Sequence, residues 1–116
     1  RVAVLQGRFF DPIPTDRHID VVVSNPPYIP SADILDLEPE VSIHEPRIAL
    51  DGGSTGLDVY SVLIPMAVQR ARVGVAVEVG IHQSESVQAI MKQAEMHSIT
   101  IHKDLGGIER VVRGKV

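Results

Sequence analysis

The residues whose types point most directly to chemistry are Asn25-Pro26-Pro27-Tyr28. They follow Asp20-Val21-Val22-Val23-Ser24, a β-branched run that reads as a strand. Each proline fixes its own φ and lacks an N–H, so the corner offers carbonyl oxygens rather than donors. The Pro26 carbonyl and the Asn25 side-chain oxygen are two acceptors at a set separation, which suits a planar NH₂ group. An amide or aromatic amine nitrogen is a poor nucleophile because its lone pair is delocalised. Holding both hydrogens aims the lone-pair axis at an electrophile such as a methyl sulfonium, and such alignment lowers a barrier by several kcal/mol. Tyr28 would flank the flat group and exclude water. The plain alternative is a proline turn that ends a strand, with Asn25 suited to turn geometry.

These residues need a frame to hold them. Val2-Ala3-Val4-Leu5 is a short apolar run ending at Gln6-Gly7 and reads as a strand, so the chain is expected to open inside an element as a fragment does. The continuous apolar character of 20–24 predicts burial on both faces, as in a parallel sheet. Residues 29–55 carry Pro30, Pro39, Pro46, Gly52 and Gly53 without a period and read as a long loop. Leu57, Tyr60, Leu63, Ile64, Ala67, Val68 and Ala71 recur at helical spacing. Pro65 inside that pattern predicts a bend near Ser61 or a restart at Pro65, with Gly74 as the stop. Val75-Ala76-Val77-Glu78-Val79 is the next strand. Val87, Ile90, Met91 and Ala94 mark a second helix with Ser84 as its cap. Ile99–His102 and Arg110–Arg113, separated by Gly106-Gly107, predict an antiparallel closing pair. Strands alternating with helices make this an α/β sheet, whose ligands bind beyond the strands' carboxyl ends, where Asn25 falls.

Composition narrows the function classes. A length of 116 residues allows one modest domain, and the 44% apolar content is that of an ordinary globular protein. The net charge of −4 and the lack of any Lys/Arg run argue against a nucleic-acid footprint. Cysteine is absent, which excludes disulfides, thiol catalysis and cysteine-ligated zinc and is consistent with a cytoplasmic location. No apolar run approaches the ~20 residues of a membrane span. His18, His44, His82, His97 and His102 show no metal-ligand spacing, so no metal is expected.

Several blocks together resemble one family. Val23-Ser24-Asn25-Pro26-Pro27-Tyr28-Ile29-Pro30 is similar to a signature of the HemK family, the peptide-chain release factor glutamine methyltransferases. So is His44-Glu45-Pro46-Arg47-Ile48-Ala49-Leu50-Asp51-Gly52-Gly53, followed by Gly56-Leu57-Asp58 and Tyr60. Glu78-Val79-Gly80 with Gln83 resembles the family's next strand and turn, and residues 104–112 its C-terminal signature. The resemblance implies a Rossmann-like methyltransferase sheet, here incomplete, with an antiparallel C-terminal strand pair; residues 1–116 would be the C-terminal part of the catalytic domain. It implies S-adenosylmethionine as cofactor and the glutamine of a release factor as methyl acceptor. Asn25, Pro26 and Tyr28 would be catalytic, with Pro27 joining them in holding the substrate. Asn25 would also touch the cofactor, and Phe9 stands where members place a residue against the adenine. The position before it, usually acidic, is Arg8.

The family's glycine-rich cofactor loop and ribose-binding acidic residue precede this region. Asp51-Gly52-Gly53-Ser54-Thr55-Gly56 does not replace them, because it follows no strand. The chain alone is therefore expected to bind cofactor weakly or not at all and to be inactive. Three readings stand: glutamine methylation of a release factor; transfer to another acceptor, an adenine amino group or a ribosomal-protein glutamine; and an inert fragment that binds protein. Glu45 either lines the substrate channel or is a solvated loop residue. Glu78 either contacts substrate or, the favoured reading, makes a structural hydrogen bond to the adjacent loop, and Asp104 is expected to pair with Arg110. The segment 1–7 would be loose, swapped to another chain or paired at an edge.

Overall fold

The computed structural model describes residues 1–37 and 45–116. His44 and Pro39 lie outside the described residues. Four strands, β1 (Ile19–Ser24), β2 (Ala71–Glu78), β3 (His97–Lys103) and β4 (Glu109–Lys115), form one mixed sheet in the order β1-β2-β4-β3. β1 and β2 are parallel, with Val21 opposite Gly74 and Ser24 opposite Val77. β4 is antiparallel to both β2 and β3, as the glycine turn between the last two strands predicts. Helix α1 (Asp58–Arg70) links the parallel pair, and α2 (Ser84–Gln93) leads from β2 to β3.

The core is built where helical and strand periods meet. Tyr60, Ile64 and Ala67 of α1 and Val87 and Met91 of α2 are buried against Val75 and Val77 of β2 and Val112 of β4. Each large apolar side chain so buried contributes roughly 1.5–3 kcal/mol. Val22 packs on the same cluster, while Val21 and Val23, pointing the other way, are 51% and 77% exposed. The valine run of β1 is thus not buried on both faces. Among the described residues, this chain's helices cover one side of the sheet, and β1 is an edge.

Three further expectations are corrected. Val2–Leu5 forms no strand: Val2 and Val4 are 88% and 92% exposed, and no described strand pairs with the segment to satisfy its ladder groups. Gly74 does not stop α1, which ends at extended Ala71. It lies inside β2, where a Cβ would sit 2.7 Å from the Gly114 carbonyl. Ser84 is the first residue of α2 rather than its cap; Gln83 holds the cap position, and the buried Ser84 hydroxyl donates to Glu109. Pro65 is carried inside a single helix without a restart.

Candidate functional site

β1 ends at Ser24 and the chain turns at Asn25-Pro26-Pro27-Tyr28, beyond the carboxyl ends of the two parallel strands. Asn25 is exposed and Pro26 buried. Among the described residues, no backbone donor takes up the Pro26 carbonyl. A cleft of about 530 Å³ opens on one side, lined by Phe9, Phe10, Ile13, Val22, Asn25, Pro26 and Pro27 among others. A smaller cavity of about 150 Å³ lies on another side, between Asn25, Pro26, Tyr28, Ile29, Glu45 and Leu50. Asn25 and Pro26 belong to both, so the corner is a partition between two spaces.

Residues 29–31 and 47–53 hold that corner from behind. The Ile29 N–H donates to the Leu50 carbonyl at 3.0 Å, the Gly52 N–H returns to the Ile29 carbonyl at 2.8 Å, and the Ser31 N–H donates to Gly53 at 2.9 Å. Ile29 and Asp51 form a parallel bridge. The Asp51 carboxylate gathers the Ser31 hydroxyl at 2.6 Å, the Gly53 N–H at 2.9 Å and the Arg47 guanidinium at 3.1 Å. Its pKa is lowered, chiefly by the Ser31 hydrogen bond and next by the Gly53 N–H. Gly52 permits the approach, since a Cβ there would meet the Tyr28 Cα at 2.8 Å.

Tyr28 is anchored at both ends. Its hydroxyl donates to Glu78 at 3.0 Å, a partner from the diproline corner rather than from the loop next to Glu78, and its carbonyl accepts from Gln83 at 2.8 Å. Burial, then the hydrogen bond and charge of Glu78, raises the Tyr28 pKa, so the phenol stays neutral near pH 7. Tyr60 donates to the Glu78 backbone carbonyl at 2.6 Å, and burial raises its pKa as well. Neither phenol is a base.

Phe9 lines both the 530 Å³ cleft and a broader one of about 1010 Å³ that includes Arg8, Arg47 and Asp51. It adopts φ 50°, a left-handed conformation unusual for a bulky side chain, and the Arg8 guanidinium lies 5.5 Å over its ring. The structure thus brings Phe9, Asn25, Pro26 and Pro27 around one cleft, and Asn25, Pro26 and Tyr28 around another. Glu45 is on the wall of the smaller. Asp104 and Arg110 pair at 3.4 Å as expected, in the exposed hairpin turn. Sequence reasoning missed the braces: Asp51 toward Ser31, and Gln83 toward Tyr28. Asp51 before two glycines was the available signal, since Asp there folds its own loop.

No protein-family model matches the chain. It is 43% identical over 118 residues to a release factor glutamine methyltransferase of Geobacter sulfurreducens, covering 100% of this chain and 41% of that protein. Proteins of the same name from Caulobacter vibrioides and Gloeobacter violaceus are 46% and 45% identical over 98% and 97% of this chain, and 40% of each relative is covered. An α/β mixed sheet ending in an Asn-Pro-Pro-Tyr corner, with methyltransferase relatives, implies a Rossmann-like fold. The chain belongs to the release factor glutamine methyltransferase, or HemK, family and matches its C-terminal part. It spans about two fifths of the length of these relatives. Among the described residues, no helix is long and apolar enough to cross a membrane.

Proposed function

We propose that this chain is the acceptor-holding part of an S-adenosylmethionine-dependent enzyme that methylates the side-chain amide nitrogen of a glutamine in a peptide-chain release factor. The observation that carries this reading is the Asn25–Pro26 partition between two cavities of very different size. The larger falls within the ~300–1,000 Å³ range of cofactor pockets and is mostly apolar with a few polar groups at its edge. It suits a flat heteroaromatic ring beside Phe9 with Asn25 at its margin. The smaller, at about 150 Å³, is too small for a nucleoside and suits a carboxamide side chain. The residues present therefore fit one wall of an S-adenosylmethionine seat, held by Phe9, Asn25 and their neighbours.

When bound there, the cofactor would supply an electrophilic methyl group. Asn25 Oδ1 and the Pro26 carbonyl each accept one N–H of the substrate amide, which fixes its plane and turns its lone pair toward the larger cleft. Tyr28 and Pro27 close the sides and exclude water. Were a methyl group delivered to that nitrogen, the Asn25 and Pro26 oxygens beside it would stabilise the positive charge that develops there. The extra proton would leave along the hydrogen bond to one of these two oxygens and reach solvent as the product amide departs. Neutral Tyr28 takes no part in that transfer.

Residues 1–116 supply the C-terminal part of the catalytic domain, and on their own transfer no methyl group. The proposed substrate implies a cytoplasmic enzyme. The test incubates the full-length protein with S-adenosylmethionine and purified release factor and maps the methyl by peptide mass spectrometry. One added methyl on a glutamine amide is expected, lost in Asn25→Ala; methylation of DNA adenine instead would sink the assignment. Calorimetry on the 116-residue chain checks the second point, because submillimolar cofactor binding with turnover would contradict it.

A further inference from the structure

The turn between β2 and α2 carries a side chain that ties its own turn to the corner. Gln83 Oε1 accepts the Gly80 N–H at 2.9 Å, and Gln83 Nε2 donates to the Tyr28 carbonyl at 2.8 Å, across 55 positions of sequence. Two glycines make the room. A Cβ on Gly56 would sit 2.3 Å from the Tyr28 carbonyl oxygen and 2.6 Å from Gln83 Nε2. A Cβ on Gly80 would sit 2.9 Å from both Gln83 Oε1 and the Tyr28 ring. Three separate segments thus converge on one amide: the corner itself, the loop ending at Leu57, and the end of β2. The Tyr28 hydroxyl is meanwhile fixed to Glu78 on that same strand. A residue held at its carbonyl by Gln83 and at its side chain by Glu78 has little freedom to swing, and Pro26 and Asn25 stand two and three positions before it, joined to it through rigid Pro27.

We propose that Gln83 is a positioning residue: it locks the Tyr28 peptide so that the Asn25 and Pro26 oxygens keep the spacing a planar amide requires. This rests on the methyltransferase reading above. Gln83 touches neither proposed substrate nor cofactor and acts through the backbone of the corner. A shift of about 1 Å in such a frame costs on the order of a hundredfold in rate.

The experiment uses Gln83→Glu and Gln83→Leu in the full-length protein. Gln83→Glu keeps length and the acceptor for Gly80 but puts a carboxylate oxygen against the Tyr28 carbonyl; it serves even if the apolar variant fails to fold. Expected is a tenfold to hundredfold fall in kcat toward release factor (order of magnitude from the same alignment effect), with the KM for S-adenosylmethionine within about twofold. A kcat close to that of the parent, or a loss that tracks thermal stability and vanishes at lower assay temperature, overturns the proposal. A readout independent of turnover is side-chain amide NMR. The Gln83 NH₂ protons should exchange slowly, and Gln83→Glu should move the Asn25 side-chain amide resonance; an unmoved Asn25 signal overturns the idea. If the parent enzyme methylates no glutamine while this coupling is present, the reading of function fails and the clamp survives.

Discussion

Two turns in this chain are built from the same parts and serve different ends. Asp51-Gly52-Gly53 and Asp104-Leu105-Gly106-Gly107 each start with an aspartate that accepts backbone N–H groups from its own loop and pairs with an arginine. Both carboxylates have lowered pKa values, but for different leading reasons: the Ser31 hydroxyl for Asp51, the Ile108 N–H for Asp104. Every partner of Asp104 lies within six residues of it. Asp51 reaches Ser31, 20 positions away, and its loop lies against the diproline corner. The glycines diverge likewise. Gly107 has φ 83° and nothing within 4 Å of a Cβ, so backbone conformation alone asks for glycine. Gly52 and Gly56 are crowded by Tyr28, and there glycine is a condition of assembling the site. The same local chemistry makes a hairpin in one place and a brace in the other.

The contrast can be broken by substitution, and the largest effect belongs to the braced loop. Gly56→Ala must fit a Cβ 2.3 Å from a backbone oxygen at φ 79°, and is expected to destabilise by about 3 kcal/mol or more. Denaturant titration measures it, and a loss under about 1 kcal/mol would show that the loop has slack. Next, Asp51→Asn should lower methyl transfer about tenfold, by loosening the loop behind Ile29. Asp104→Asn should leave kcat unaltered; equal effects would erase the distinction. Gly107→Ala should cost about 1 kcal/mol, with no effect on activity. Glu95 ends α2 at φ 65°, where its N–H and that of Met96 donate to Lys92 and Met91, a helix stop that prefers glycine. Glu95→Gly should therefore raise stability by roughly 0.5–1 kcal/mol in a thermal melt.

The smallest effect is the pH response of the two aspartates. A carboxylate with a folded pKa below its ordinary 3.8 contributes stability above that value, and loses it as pH falls through the lower folded value. Acid unfolding followed below about pH 4 should shift slightly to higher pH in each Asp→Asn variant. Only Asp51→Asn should also alter activity at neutral pH.

How much of this was legible beforehand follows from the range over which each feature is determined. The strands at 20–24, 75–79, 99–102 and 110–113 and both helices were readable because period and β-branching act over a few residues. The Asp104–Arg110 pair, six apart across a glycine turn, was legible on the same ground. Val2–Leu5 has the composition of a strand, yet a strand exists only with a partner to bond, and none among the described strands pairs with it. Gly74 reads as a helix stop, but the close approach of Gly114 across β2 and β4 gives it another use.

The same division runs through the site. The sequence by itself determined that a diproline corner would follow β1 with paired acceptors, because proline's ring and missing N–H are covalent facts. Tertiary structure alone decided that Asn25 and Pro26 divide two cavities, that Asp51 reaches Ser31, and that Gln83 and Glu78 secure Tyr28. Those contacts join residues 20 to 55 apart, and which partner is within 3 Å depends on how helices and strands pack rather than on any local preference.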